Sequence, residues 1–404
     1  MIPFSPPRID NEIIEEVTSA LQSGWITTGP RTKQFEEEIT VFCGNKKTLA
    51  VSSATAGLEL VLRWFGVKQG DEVILPVYTY CATANVIMHC GATPVMVDTN
   101  SDDFNINIEN IRKAITSKTK VIIPVDFAGL PCDYSSINNL VKEKDIIANF
   151  IADNDIQKKL GRILVLSDAA HSIGAQYENK MTGNLTDITV FSFHAVKNLT
   201  TAEGGAICFN LSENFDHEAI YKYFNTISLH GQSKDALAKT QKGNWKYDVV
   251  EPGYKANMTD ILASIGLIEL RRYSKETLQR RKQIFQKYQD AFKNYTWAQL
   301  PIFEDARRES SYHIFPLRIK NVTEEQRNTI IQGIFDKDVS VNVHFQPLSN
   351  LTAYKNLGYC SADYPIAFDN YSREISLPVY FDLQDKDLCI VIDAVVNSVK
   401  EVLG

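Results

Sequence analysis

Seven short runs rich in β-branched residues punctuate the chain between residues 48 and 209, and their rhythm restricts the fold more than any other feature. They are Thr48–Ser52, Glu72–Pro76, Thr93–Asp98, Lys120–Val125, Arg162–Ser167, Ile188–Phe193 and Gly205–Phe209. Most are continuous apolar runs, the pattern of strands covered on both faces. Between them lie stretches of helical length, such as Thr55–Phe65, where Leu58, Val61, Leu62 and Phe65 share one face. This alternation predicts a three-layer α/β domain around a mostly parallel sheet.

After Asp260 the character changes. Residues from Asp260 to about Lys293 read as one long helix or two in series. A strand (Tyr312–Ile319), a helix (Thr323–Phe335) and a short strand (Ser340–Phe345) follow. A terminal helix then carries a stripe of Leu388, Ile392, Val395, Val399 and Val402. A single core rarely grows past about 250–300 residues, so a chain of 404 residues is expected to divide into a large domain, 1–260, and a smaller α/β domain, 261–404. The mixed polar stretch Ala148–Gly161 reads as a surface excursion.

A net charge of −7 argues against a nucleic-acid or anionic-membrane partner, since both need a basic surface. Seven scattered cysteines with no C-x-x-C spacing fit reduced thiols in a cytoplasmic protein rather than a disulfide framework or a zinc cluster. The opening MIPFSPPRIDNEIIEEV has no apolar core of a signal peptide, and no apolar run reaches the roughly 18 residues of a membrane helix. G-x-G-x-x-G after a strand, the P-loop, H-E-x-x-H and G-x-S-x-G are all missing, and the histidines lack metal-ligand spacing, so no metal is expected.

Ligands of open α/β sheets bind beyond the carboxyl ends of the strands, so the residues following each strand were read as candidates. Ser53-Ala54-Thr55-Ala56-Gly57 before a helix offers an anion cradle, although a serine there also serves as a plain N-cap. Tyr80 can wall a flat ligand or simply pack at the rim. Asp168, closing an apolar strand, needs a partner or a helix to cap. Lys197 lies between a strand and the Gly204-Gly205 turn, 29 residues after Asp168. Together these are what pyridoxal phosphate requires: an amine for its aldehyde, an anion for its ring nitrogen, donors for its phosphate and surfaces for its ring.

The blocks GWITTGP (Gly24–Pro30), VSSATAGLEL (Val51–Leu60), GDEVILPVYTY (Gly70–Tyr80), SDAAHSIGA (Ser167–Ala175), FSFHAVKNLTTAEGGAI (Phe191–Ile207), PGYKANMTDILASIGLIEL (Pro252–Leu270) and SLPVY (Ser376–Tyr380) resemble the DegT/DnrJ/StrS nucleotide-sugar aminotransferases almost end to end. FSFHAVKNLTTAEGG and PGYKANMTD bring the likeness nearest to the members that make UDP-4-amino-4-deoxy-L-arabinose. The resemblance implies a fold type I pyridoxal-phosphate transferase domain with a smaller C-terminal α/β domain. It implies that Lys197 carries the cofactor, that Asp168 pairs with the ring nitrogen, that His171 lies beside the ring and that Tyr80 stacks on it. Ala54, Thr55 and Ser192 match the phosphate-binding positions, and Asn257 matches an asparagine that reaches the phosphate of the neighbouring subunit, hence a homodimer with shared sites. Thr27, Thr28 and His344 fall in segments that line the sugar side. The expected substrates are glutamate and a keto-sugar nucleotide, with no nucleic acid and no membrane. Two other readings stand beside this one: a sugar dehydratase of the same fold, in whose relatives histidine replaces the lysine, and a degenerate binding protein, which tends to lose the lysine, the aspartate or the phosphate turn. Ser167 departs from the family, whose members usually have an acid there.

Overall fold

The computed structural model describes residues 1–233 and 246–404. Strands β1 (Lys47–Val51), β2 (Glu72–Pro76), β3 (Thr93–Val97), β4 (Thr119–Ile122), β5 (Leu164–Asp168), β6 (Ile188–Ser192) and β7 (Gly205–Phe209) form one sheet in the order β1-β7-β6-β5-β4-β2-β3. Pairing is parallel from β6 through to β3, while β7 runs antiparallel to both β1 and β6. All seven expected strands are present, with some ends displaced.

Successive strand residues point to opposite faces, and both faces here are apolar. Leu49 and Val51 enter one core and Ala50 another; Leu164 and Leu166 divide from Val165 in the same way. Helix Ala54–Trp64 covers the first face with Leu58, Val61, Leu62 and the adjoining Phe65, all buried. Helix Pro30–Cys43 covers the opposite face with Phe35 and Ile39, and Asp260–Arg272 joins it through Ala263, Leu267 and Leu270.

Asp260–Arg272 and Leu278–Phe292 are two α-helices joined by a π-helical turn at Tyr273–Thr277. The core changes at that turn: Leu278 touches both cores, and Ile284, Phe285 and Tyr288 belong to the second. A three-stranded antiparallel sheet of Ala298–Gln299, Phe315–Ile319 and Glu374–Leu377 supports this second core. The terminal helix Asp385–Leu403 buries Leu388, Val395 and Val399, with Ile392 and Val402 partly covered.

Three local expectations are corrected. Ser340–Phe345 makes no strand, only an isolated bridge from Asn342 to Ser376. The strand expected from Tyr312 begins at Phe315, because the backbone N–H groups of Ser311 and His313 donate to the Gly129 and Ala128 carbonyls instead. Ala148–Gly161 is not merely an excursion. It contains the helix Asp155–Leu160, whose Gln157 is fully buried and donates through Nε2 to the Phe65 carbonyl at 2.8 Å.

One carboxylate ties together two helices far apart in the chain. Helix Pro30–Cys43 starts from Gly29, which has no capping side chain. Asp260 supplies the cap from far along the chain: it accepts from the N–H groups of Gly29 at 2.8 Å, Thr32 at 2.9 Å and Arg31 at 3.1 Å, and from Thr32 Oγ1 at 2.7 Å. An anion at a helix N-terminus, fully buried here, satisfies donors that otherwise lack partners. Asp260→Ala is expected to lower stability by about 3 kcal/mol, and Asp260→Asn by less, since hydrogen bonds to charged groups each contribute about 1.5–3 kcal/mol. Urea unfolding checks this, and an unchanged midpoint in the alanine variant would refute the cap.

Candidate active site

The carboxyl ends of β1, β2, β5 and β6 open into a cleft of about 340 Å³. On one side is the turn after β1. Ser53 is extended and its Oγ accepts from the Ala56 N–H at 3.1 Å, starting the helix at Ala54. The first N–H groups of a helix have no intrahelical partner, and Ala54 and Thr55 line the cleft at that positive end. Gly205 makes the turn possible: a Cβ there would lie 2.6 Å from Ala54 N, so only glycine lets β7 pass this close.

The floor is Asp168, the last residue of β5, 6% exposed. Its Oδ2 accepts from Thr83 Oγ1 at 2.8 Å, and its Oδ1 from the Ala170 N–H at 3.3 Å. Thr83 in turn meets Thr79 Oγ1 at 3.0 Å. Burial raises the Asp168 carboxyl above its ordinary range, against Thr83, the Ala170 N–H and the nearby Lys197 charge. A cationic group above it would favour the ionised form.

Lys197 hangs in the loop between β6 and β7. Phe193 N–H donates to Gly204 O and Thr201 N–H to Phe193 O, both at 2.9 Å, which closes the loop on itself. The neighbouring Asn198 anchors it: Nδ2 donates to Ser311 O at 2.7 Å, and Oδ1 meets His313 Nδ1 at 2.7 Å. Burial pushes the Lys197 amine down to about 8, although Asp168 pulls the other way.

Aromatic rings close the remaining side. His171 packs on His313 at 4.3 Å and stacks on Phe345 at 5.7 Å, while Tyr80 meets Phe345 at 6.1 Å. Burial holds His171 and His313 well below their ordinary values and His344 down to about 3, with the Lys197 charge adding to each, so these rings are neutral at pH 7. The buried Nδ1 of His171 has no hydrogen-bond partner among the described residues.

Of the residues singled out in the sequence, Lys197, Asp168, His171, Tyr80, Ala54, Thr55, Ser192 and His344 line this one cleft. Thr27, Thr28 and Asn257 do not. Asn257 Nδ2 donates to Thr28 Oγ1 at 2.6 Å and its backbone bridges to Val51 at the end of β1, while Thr27 O accepts from the Asp260 N–H at 3.0 Å. Sequence reasoning missed Thr83, His313, Phe345 and Phe4. Thr83, one turn into the helix after Tyr80, left a faint signal; the other three come from distant segments and left none.

An amine, a buried carboxylate, an anion-binding helix start and an unpartnered imidazole nitrogen fit an aldehyde cofactor with a cationic ring nitrogen, a phosphate and a phenolic oxygen. Fold and site define a fold type I aminotransferase, the class whose cofactor is pyridoxal 5′-phosphate. The chain belongs to the DegT/DnrJ/EryC1/StrS aminotransferase family, whose profile matches residues 7–396. It is similar to Spr1654 of Streptococcus pneumoniae, described as a sugar aminotransferase. Against that protein's PMP form it shows 46% identity, full coverage of both chains and a TM-score of 0.96; against its PLP form, 44%, full coverage and 0.95. Helicobacter pylori PseC, an aminotransferase involved in pseudoaminic acid biosynthesis, shows 28% identity over 99% of each chain with a TM-score of 0.86. The spore coat polysaccharide biosynthesis protein SpsC of Bacillus subtilis is 37% identical over 99% of this chain and 97% of its own. Among the described residues, no group of three or more potential ligands could hold a metal, and no helix is long and apolar enough to cross a membrane.

With its amine near 8, about a tenth of Lys197 is uncharged at pH 7, against well under a thousandth for an ordinary lysine at 10.5. The neutral amine is the nucleophile. The rate at which the cofactor-free protein captures pyridoxal phosphate is expected to rise with pH through about 8 and then level off. A rate still climbing steeply at about pH 10 would contradict this electrostatic setting.

Proposed function

We propose that this protein is a cytoplasmic pyridoxal-phosphate aminotransferase that moves an amino group from glutamate to a keto-sugar nucleotide, a UDP-4-keto sugar, during synthesis of cell-surface polysaccharide. The observation that carries the reading is the meeting of Lys197 and Asp168 in one cleft beside the Ala54–Thr55 helix start. Family membership supports amino transfer. The sugar follows from what Spr1654 and PseC are described as doing, and the polysaccharide from SpsC. UDP and the 4-position rest on the likeness of Phe191–Gly205 and Pro252–Asp260 to the 4-amino-arabinose members. Lys197 in place runs against the dehydratase alternative, and the lysine, the aspartate and the phosphate turn together run against a degenerate binding protein.

The chain's own residues divide the work. Ala54, Thr55 and Ser192 bind the phosphate, and Tyr80 covers the ring. Asp168, held by Thr83, keeps the proton on the ring nitrogen. Bound there, the cofactor supplies an electron sink for the pair left when a Cα–H bond breaks. Lys197 Nζ would take the proton from the donor Cα as general base, and in the second half-reaction it would deliver a proton to the sugar carbon as general acid. His171 Nδ1, buried and unpartnered among the described residues, would take up the cofactor's phenolic oxygen. In a homodimer, Asn257, Thr27 and Thr28 would complete the site of the second copy, and their place outside the lining of this chain's cleft supports that arrangement.

Lys197→Ala is expected to reduce turnover by at least about 10²–10⁴-fold, the usual contribution of a positioned acid–base group; substantial residual activity would remove the assignment. Absorbance of the loaded protein tests the first half-reaction. Glutamate should collapse the visible band into the pyridoxamine form. A band indifferent to glutamate would mean another donor or a dehydration, and a protein that takes up no cofactor would be a binding protein.

A further inference from the structure

Deep beside the cleft, on the small-domain strand Glu374–Leu377, sits a fully buried carboxylate with no part in amino transfer. Glu374 Oε1 accepts from Ser376 Oγ at 2.5 Å, and Oε2 accepts from the His344 N–H at 3.0 Å. Ser376 Oγ then meets His344 Nδ1 at 2.9 Å. Nδ1 is thereby engaged on the protein side, and the ring's other nitrogen, Nε2, is the one left for the cleft that His344 lines. The ring is also held in place. Phe4 stacks on it at 5.5 Å and 21°, and Tyr78 Oη donates to the His344 carbonyl at 2.7 Å.

A serine hydroxyl between two proton-binding groups donates one hydrogen bond at a time, so the three groups share one polarity. We propose that Glu374, Ser376 and His344 form a proton relay that sets whether His344 offers the cleft a hydrogen-bond donor or an acceptor. With Glu374 protonated, its O–H donates to Ser376 Oγ, Ser376 donates to Nδ1, and Nε2 carries the proton. When Nε2 gives up that proton, Ser376 donates to the carboxylate, Nδ1 takes the serine's former proton, and the charge resides on Glu374. One proton leaves, and no oxidant or co-reactant is involved. His344 is the group facing substrate, resting on the reading of this cleft as the reaction site; Glu374 and Ser376 are positioning residues. The carbonyl and hydroxyl oxygens of a keto sugar are partners for the donor form, whereas an ammonium group suits the acceptor form.

The surroundings set where the switch occurs. Burial pushes the Glu374 carboxyl up to about 8, against Ser376, Arg327, the His344 N–H and Arg318. Arg318 stands opposite on the paired strand, Arg327 on the helix Glu324–Phe335, and Tyr78 at the end of β2. Burial, with the charge of Lys197 across the cleft adding to it, keeps the His344 ring from taking a second proton.

The test is ¹⁵N NMR of histidine-labelled, cofactor-loaded protein from about pH 6 to about pH 10, which brackets the Glu374 value near 8. The His344 signals are assigned by their loss in His344→Gln. In the wild type the proton is expected on Nε2 at neutral pH and on Nδ1 above about 8. Glu374→Gln, whose amide donates to Ser376 at every pH, should keep it on Nε2 throughout. Ser376→Ala should abolish the transition. A single tautomer over the whole range in the wild type, or a transition that survives either substitution, would overturn the relay. If the glutamine variant does not fold, the alanine variant decides alone. No substrate is used, so failure of the glutamate spectrum would sink the aminotransferase reading and leave this result untouched.

Discussion

An amine that has to be uncharged near neutral pH cannot sit in water, and the depth of Lys197 is the condition to which its surroundings are fitted. Burying an unpaired ammonium is costly, so the chain lowers the affinity for the proton and still keeps Asp168 close enough to hold a cation. Neither residue is placed by its own strand alone. The Lys197 loop is pinned through Asn198 to Ser311 and His313, more than a hundred residues on. Asp168 is steadied by Thr83 on the helix after β2. Change the wall and the electrostatics of the amine change with it.

The cleft lies where the two cores meet, a common place for small-molecule sites. The ends of the seven-stranded sheet supply the helix start at Ala54, the acid and the amine. Segments beyond residue 300 supply His313, His344, Phe345 and, behind them, Glu374 and Ser376. The N-terminal segment ties the two together: Ile2 bridges to Val339, Phe4 stacks on His344, and Ser5 Oγ donates to Val196 O at 3.2 Å. Shifting one core against the other would disturb both halves of the site together.

Much of the fold was legible in the sequence because its strands are buried on both faces and so stand out as apolar runs. The residues at their ends, Asp168 and Lys197, were legible as polar groups where a covered sheet stops. The failures fall beside the cleft. Val341, Val343 and Phe345 alternate like a strand, yet the His344 N–H goes to Glu374 rather than to a sheet partner, and the backbone turns the imidazole inward. Ser311 and His313 likewise forgo strand pairing to donate to Gly129 and Ala128. Gln157 acts through a contact no local pattern records, and Thr83 through one its position records only faintly. Asp260, read only as the start of a helix, also caps another helix more than two hundred residues earlier. Periodicity reports what is buried against what; it carries little about polar groups that find each other across the fold.

The sheet order has a consequence for the newly made chain. β7 lies between β1 and β6, so the turn after β1 cannot take its final form until residue 209 has emerged. Even then Asn198 waits for Ser311 and His313, and His344 waits for Ser376, which follows residue 209 by about 170 residues. At about 5–20 residues per second, a ribosome takes roughly ten to thirty seconds to cover that distance. During that time a reactive lysine and its acid are already synthesised while the wall that tunes them is not, so cofactor capture belongs to the finished chain and not to the nascent one.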